Sequence, residues 1–378
     1  MLSTRINVAL NKGNGSYGIV IEIMKILHVI TLAELGGAQS VVINLARESV
    51  NDGHEVMVAS SEDGELWKVL PTEVAQWKIN PLQRSISLSK EHKVVNELRR
   101  LYQVFKPDVI HLHSSKIGIL GRLAFPRKKI VYTVHGFDSI RVAFRKFLHL
   151  ERLLQIRAKH IVGVSKYDYQ NLLSEGIKKN VSYIYNGITD YSSDPHGDQS
   201  ESYRRLAEMI RSKSGFKVMC IARISPQKKF ELFCEVAELL APHNVHFFWI
   251  GNKDEMADLP ANAYCLGEAE DAHRLLKYAD LFMLPSNYEG MPMSILEALC
   301  YSVPVIASDV GGIGEVLNGL NGRAVANSAS EFAGQILHYA SNPDELTQAK
   351  AEARKSYEAY FTVGAMYRMY LSLYKSLG

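Results

Sequence analysis

Cysteine, long apolar runs and a charge of one sign are what this sequence lacks. Cys220, Cys234, Cys265 and Cys300 are its four cysteines, all in the second half and without the spacing of metal ligands. Three lie in strand-like or helix-like apolar surroundings, which points to reduced core thiols in a cytosolic protein. No apolar run approaches the ~18 residues needed to span a bilayer. Residues 1–23 also lack the continuous hydrophobic segment of a secretion signal, so the expectation is a soluble or peripheral protein. The net charge of +3 is close to neutral and gives no global case for a nucleic-acid partner. Its distribution is uneven, however: Arg84 to Lys159 holds 17 Lys/Arg against Glu91, Glu97, Asp108, Asp138 and Glu151.

What is present is apolar residue in quantity, 47% of 378 residues, enough for two domains that each have a core. The leader 1–23 contains Lys-Gly-Asn-Gly-Ser-Tyr-Gly, packs poorly, and is expected to be disordered or to stem from an upstream start codon. A first strand follows at Lys25 to Ile30, then Gly36-Gly37-Ala38-Gln39 and a helix from about Ala38 to Val50. Further strands read at Glu55 to Ser60, Val109 to His113, Ile130 to His135, Ile161 to Val164 and Val181 to Tyr185. Alternation with polar or helical stretches predicts a parallel, doubly wound sheet over 24–190. Residues 191–214 are polar and read as a linker. A second domain, 215–355, restarts with strands at Lys217 to Ala222, Val245 to Gly251, Ala263 to Gly267, Leu281 to Leu284, Val303 to Ser308 and Arg323 to Val325. A C-terminal helix covers 356–378.

The most informative stretch runs from Leu284 to Val303. Strand Leu281 to Leu284 meets a Pro/Ser/Asn/Gly loop, and Pro292 stands where the first position of a helix tolerates proline, with Ile295, Leu296 and Leu299 on its buried side. A helix N-terminus at the carboxyl edge of a sheet suits an anion. Glu289 and Glu297 flank it with seven residues between them. Carboxylates accept paired hydrogen bonds from vicinal hydroxyls, so this spacing suits a nucleotide sugar, with hydroxyls at both ends and phosphates between. Taken alone, two such glutamates also read as a solvated loop charge and a favourable acid near a helix start.

The run Glu289-Gly290-Met291-Pro292-Met293-Ser294, then Glu297-Ala298-Leu299 and Pro304-Val305-Ile306-Ala307-Ser308-Asp309-Val310-Gly311-Gly312, closely resembles the donor-binding segment of retaining glycosyltransferase family four, of the bacterial polysaccharide and lipid-linked glycan type. The resemblance implies an α/β protein of GT-B fold: two Rossmann-like domains facing across a cleft, with the C-terminal helix crossing back onto the N-terminal domain. It implies an N-terminal acceptor domain and a C-terminal nucleotide-sugar domain. Transfer of a hexose or N-acetylhexosamine from a nucleotide diphosphate sugar, UDP-linked by family frequency, to a glycan or polyprenyl-linked acceptor would proceed with retention, in surface polysaccharide biosynthesis. The implied location is cytoplasmic, at most peripheral on the cytoplasmic face of the inner membrane.

Roles carried over are these. Glu289 would hold the donor sugar's hydroxyls, Glu297 the ribose, and Gly290, Met291, Pro292 and Met293 would line the diphosphate with the helix beginning near Met291. Arg223 and Lys228, in a loop between strand and helix, resemble the diphosphate clamp, although Lys229 stands where the family has glycine. Two cations there leave no need for a bound metal or other cofactor, and the absence of any Asp-x-Asp triplet gives the metal-dependent GT-A class poor support. Gly36 and Gly37 would lie under the diphosphate and beside the acceptor, though turn geometry is the commoner explanation of such a pair taken by itself. Tyr264 to Gly267 resembles the place where backbone groups, Leu266 among them, read the base. His135, at a strand's carboxyl end, would contact the donor sugar near its reacting carbon; His113 reads either as structural or as an acceptor-side residue. Within 138–158, Arg141, Arg145, His149 and Arg152 on one helical face, with Phe144, Phe147, Leu148 and Leu154, suit an anionic membrane surface or an ordinary solvated face over a core stripe. Two alternatives remain open: a nucleotide-sugar 2-epimerase of the same architecture, and a non-catalytic nucleotide-sugar-binding subunit.

Overall fold

Apolar, β-branched segments that bury both faces cannot be paired by short hairpins, and here they assemble through helical crossovers. In a computed structural model that describes residues 23–85, 87–193, 200–269 and 271–377, two parallel sheets result. The first takes β1 (Lys25–Ile30), β2 (Glu55–Ser60), β3 (Ala75–Lys78), β4 (Val109–His113), β5 (Ile130–Val134), β6 (His160–Gly163) and β7 (Val181–Tyr183), in the order β3-β2-β1-β4-β5-β6-β7. The second takes β8 (Phe216–Ile221), β9 (Val245–Ile250), β10 (Ala263–Cys265), β11 (Leu281–Leu284), β12 (Val305–Ser308) and β13 (Gly322–Val325), ordered β10-β9-β8-β11-β12-β13. Strand order reverses between β1 and β4 and between β8 and β11, the places where ligands bind doubly wound sheets. β4, β5, β11 and β12 are buried along their whole length.

The expected strands recur with ends shifted by a residue or two, and β3 is additional. Its sequence Ala-Gln-Trp-Lys has no β-branched residue and lies mostly exposed at a sheet edge, so composition hides it. The expected leader lies, except for Ile23, outside the described residues. The stretch read as a linker carries a helix, Glu201–Arg211. Ser200 Oγ accepts the Tyr203 amide at its N-cap, and Tyr203, Ala207 and Ile210 form a buried stripe at helical spacing that the surrounding charges disguise.

The segment 138–158 is not one amphipathic helix. It breaks into a π-type turn at Ser139–Ala143, a 3-10 turn at Arg145–Phe147, a short helix at Leu148–Leu154 and a 3-10 turn at Gln155–Arg157. Its arginines turn to separate partners. Arg141 bonds Asp138 and the Tyr167 hydroxyl, while Arg145 and Arg152 both reach Glu175. Local ion pairs thus outcompete the regular helical register that a basic face would need.

The C-terminal segment is two helices, Pro343–Tyr360 and Val363–Lys375. The first stays with the second domain, where Ser356 Oγ meets Asn321 Nδ2 at 3.0 Å. At Thr362 the chain crosses over, paired in parallel with Ile188 through Ile188 N to Phe361 O (2.9 Å) and Val363 N to Ile188 O (2.8 Å). The last helix then lies on the first sheet, and Tyr370 and Tyr374 are buried there. These tyrosines do more than pack: Tyr374 OH meets His111 Nδ1 at 2.6 Å and Tyr370 OH meets Thr133 Oγ1 at 3.0 Å.

Lys229 closes the 3-10 turn Pro226–Lys228 with φ 43° and ψ 54°, a left-handed conformation directly before the helix Phe230–Leu240. A side chain is strained there by about 1–2 kcal/mol, whereas glycine is not. After glycine's greater freedom in the unfolded chain is subtracted, Lys229→Gly is expected to raise the unfolding free energy by about 0.5–1 kcal/mol in urea titration. A lowered urea midpoint would contradict this account of the turn.

Candidate active site

β11 is fully apolar and ends abruptly at a polar loop whose backbone is pinned by side chains. Ser308 Oγ accepts the Ser286 amide at 2.8 Å, and Asn327 Nδ2 donates to Ser286 O at 2.8 Å. The loop after β8 is sewn to it. Asn287 N donates to Gln227 O (2.8 Å), Asn287 Nδ2 to Pro226 O (2.7 Å), and Gln227 Nε2 to Tyr288 O (2.9 Å). This double stitching carries Lys228 to Glu289. Lys228 Nζ donates to Glu289 Oε1 at 2.5 Å, and Ser286 Oγ donates to the same oxygen at 2.6 Å. Glu289 is 6% exposed, so the carboxylate is held by an ion pair in a nearly dry setting. Arg223 lies exposed in the loop after β8 and forms no ion pair among the described residues.

The helix that follows is Met293–Cys300, so Pro292 is its N-cap rather than its first residue, and the start near Met291 moves two residues on. No side chain caps this end, leaving backbone N–H groups of the first turn open to an anion. Glu297 projects from the middle of the helix, half-buried, and burial pushes its carboxyl up to about 7.

On the opposite side, β5 leads into His135, Gly136 and Phe137. Gly136 has φ 96°, a conformation that favours glycine. The turn is fixed by Phe137 N donating to Asp168 Oδ1 at 2.7 Å and by Ser139 Oγ donating to Gly136 O at 2.7 Å. Asp168 belongs to the first turn of the helix Lys166–Ser174, capped by Ser165, and burial raises its carboxyl to about 7 against the opposing hydrogen bonds from Phe137 and Ser165. His135 is half-buried, and burial lowers it to about 4, which leaves a neutral ring at physiological pH. Its Nε2 lies 3.1 Å from His113 Nδ1, and His113 Nε2 lies 3.1 Å from His28 Nδ1.

The two sides touch through glycines. A Cβ on Gly290 would stand 2.7 Å from Gly136 Cα, and one on Gly312 would stand 2.7 Å from Ser165 Cβ. Polar bonds cross at the same level: Asn186 Nδ2 donates to Met291 O at 3.1 Å. Glu315 accepts the Lys166 amide at 2.8 Å, the Tyr167 amide at 2.5 Å and the Tyr185 hydroxyl at 3.0 Å. Gly37 begins the helix Gly37–Asn51, where a Cβ would sit 3.2 Å from Met293 Cγ. Gly36 needs no glycine for its backbone, being extended at φ −179°.

The fold therefore brings together His135 with Gly136, Glu289 with Gly290 and Lys228, and Gly37 with Met293. Leu266 joins none of these contacts. Its amide is committed to Trp249 O at 2.9 Å, which leaves the carbonyl as its group for a ligand. Sequence reading missed His28, Asp168, Ser286 and Glu315 as builders of the site. Only Asp168 carried a local signal, as the third residue after the capping Ser165. His28, His111 and His113 present ring nitrogens within 4.8 Å of one another, a spacing that could hold a metal. His111, however, spends both nitrogens on Tyr374 OH and Thr133 Oγ1, which favours a hydrogen-bonded row.

Sequence models of two families match the chain: "Glycosyltransferase Family 4" over residues 35–190 and "Glycosyl transferases group 1" over residues 215–342. Among similar proteins is the UDP-Gal:alpha-D-GlcNAc-diphosphoundecaprenol alpha-1,3-galactosyltransferase of Escherichia coli, 29% identical over 76% of this chain and 80% of its own. Another is the O-antigen biosynthesis glycosyltransferase WbnH of Escherichia coli, 26% identical over 80% of this chain and 86% of its own. Among solved structures, Anabaena Alr3699/HepE in complex with UDP and glucose aligns with a TM-score of 0.78 at 20% identity, covering 93% of this chain and 100% of its own. A glycosyltransferase from Rickettsia africae aligns with a TM-score of 0.79 at 21% identity, covering 94% and 98%. With both halves matched and the two facing parallel-sheet domains of the GT-B fold in place, the chain belongs to glycosyltransferase family four.

Proposed function

We propose that this glycosyltransferase moves a hexose or N-acetylhexosamine from a UDP-sugar to a lipid-linked or glycan acceptor during surface polysaccharide assembly. The observation that carries the reading is the Lys228–Glu289 pair at an uncapped helix N-terminus, with His135 one residue from the Gly136–Gly290 contact. In the free protein Glu289 occupies Lys228. A donor diphosphate would draw Lys228 and Arg223 to itself and to the amides of Gly290, Met291 and Met293, with Pro292 closing that wall. Glu289 would then be released for sugar hydroxyls. As the bond from the anomeric carbon to the diphosphate breaks, these cations and amides take up the developing negative charge, which makes metal assistance unnecessary. Glu297 would hold the ribose and Leu266 O the base, while Gly36 and Gly37 underlie the diphosphate.

The donor domain is then the second and the acceptor domain the first. The diphosphoundecaprenol acceptor and UDP-linked donor in the name of the E. coli relative support a lipid-linked acceptor and a UDP donor here. Transfer with retention follows from the family resemblance. No helix among the described residues is long and apolar enough to cross a membrane. A peripheral contact through 138–158 is supported instead by Val142, Phe144, Leu153 and Ile156, which are 61%, 56%, 72% and 49% exposed there. The relatives are transferases, which leaves the epimerase without support. A binding-only subunit has no chemical need for leaving-group cations beside a histidine.

Lys228→Ala and Glu289→Ala are each expected to lower kcat/KM by at least about a hundredfold, since each removes a contact worth about 3–4 kcal/mol at the transition state. Near-normal turnover in both removes the assignment. In thermal shift, a UDP-sugar at about 100 times its Kd should add roughly 2.7 kcal/mol of stability, and GDP- and ADP-sugars should add far less.

The raised carboxyl of Glu297 predicts a pH dependence. Ribose hydroxyls donate to the ionised form, so below about pH 7 a proton must leave before the donor binds. The Kd for UDP-sugar, by titration calorimetry, is expected to rise about tenfold per pH unit below 7 and to be flat above it, and Glu297→Gln should abolish the slope. A Kd without pH dependence in the parent protein would refute the role.

A further inference from the structure

His28, His113 and His135 stand on one face of the first sheet, within β1, at the carboxyl end of β4 and directly after β5. The pairings His28 with His111 and His113 with Thr133 put every second residue of these strands on the same side. Two nitrogen-to-nitrogen contacts of 3.1 Å join the three rings: His28 Nδ1 to His113 Nε2, and His113 Nδ1 to His135 Nε2. His28 and His113 are fully buried. The groups packed around them are His111, Thr133, Tyr370 and Tyr374, and among the described residues no carboxylate bonds any member of the row. Burial accordingly pushes all three rings toward their neutral forms.

Neutral rings constrain one another. Each carries one proton, and each ring-to-ring bond needs a protonated nitrogen facing a bare one. The middle ring, His113, must therefore donate on one side and accept on the other, so all three rings share one tautomer. Either every Nδ1 is protonated or every Nε2 is. The inner end of the row decides between them. His28 Nε2 is buried without a hydrogen-bond partner among the described residues. In the Nε2 arrangement that atom would be an N–H lost in the core, the rarer defect in folded proteins; in the Nδ1 arrangement it is only a bare acceptor. The outer end is then His135 Nδ1–H, on a half-buried ring at the cleft.

We infer that His113, itself held by His28, is a positioning residue that locks His135 in its Nδ1–H tautomer so that it offers the cleft one hydrogen-bond donor and no base. The donor suits an oxygen of the sugar. The inference rests on the reading of His135 as the residue beside the donor sugar, but the row itself is a property of the free protein.

The test uses the full chain labelled with 15N-histidine, with ring nitrogens read by long-range proton–nitrogen NMR and assigned through His135→Asn and His28→Asn. The expected spectrum has Nδ1 protonated and Nε2 bare at all three rings, unchanged from about pH 8 to about pH 6, across the ordinary histidine range. His113→Phe keeps a ring of similar bulk but removes the N–H that His135 Nε2 accepts. It is expected to release the half-buried His135 ring to a mixture of tautomers and to lower kcat by about twofold to tenfold, within one hydrogen bond's worth, with KM for UDP-sugar within about twofold. His113→Asn returns an amide N–H near the lost Nδ1–H and is expected to restore both. A protonated Nε2 on His135 in the parent protein overturns the inference, as does an unchanged His135 tautomer in His113→Phe. A role in packing alone would lower the melting temperature of that variant and leave the tautomer as it was. Should His113→Phe fail to fold, the parent spectrum alone decides. A locked row in a protein that turns over no UDP-sugar would sink the functional reading and leave the positioning role standing.

Discussion

The structure depends on one close approach. The loop after β5 and the loop after β11 meet backbone to backbone at Gly136 and Gly290, with no room for a Cβ on Gly290. Two of the site's polar groups stand one residue away, His135 on one side and Glu289 on the other. Closeness of this kind has to be held from behind, because two loops in contact offer little apolar area of their own. Asp168 anchors one loop through the Phe137 amide. The other is backed by Gly311, where a side chain would run into the Glu289 carbonyl, and by Gly312 N, which donates to Gly290 O at 3.0 Å. Glu315 then ties the two backings together by capping the helix Lys166–Ser174 from the opposite domain.

The charges follow a common logic of low local dielectric. Lys228 and Glu289 neutralise each other where either alone would be expensive to bury. Glu297 and Asp168, without a cation at hand, are instead pushed toward protonation. The histidines, lacking any acid, are pushed toward neutrality. The field of the site is therefore set mainly by the one ion pair, Lys228 with Glu289.

Much of this was legible in the residues, because apolar strands buried on both faces and Pro/Gly-marked loops are local signals. β11, the loop to Pro292 and the helix with Glu297 follow from their own sequence. Partners separated along the chain did not follow. Nothing near Glu315 says that it will cap a helix 149 positions away, and nothing near His28 says that it will meet His113. Local pattern also misled where charge and period disagreed. The helix Glu201–Arg211 hid behind its charged residues, and the basic stretch 138–158 had a helical repeat that Glu175, Asp138 and Tyr167 pull apart. Pro292 shows the remaining limit: proline marks a helix start, and only the backbone says whether it is the cap or the first turn.

Two strands of chain connect the domains, and they run side by side at Ile188 and Thr362. Beside them Arg354 holds Asp190 with two nitrogens, at 2.5 and 3.1 Å, and also donates to Cys300 O at 2.8 Å, at the end of the helix that carries Glu297. A hinge made of two parallel crossings resists twisting more than one crossing does, and so keeps the two sheets' carboxyl edges facing. The second crossing continues into the helix that carries Tyr370 and Tyr374 onto the row of buried histidines. The helix that fixes the domains' relation therefore also fills the back of the site. Any change in the crossing at Thr362 would move tyrosines hydrogen-bonded to His111 and Thr133, so the geometry of the cleft and the packing behind it cannot vary independently.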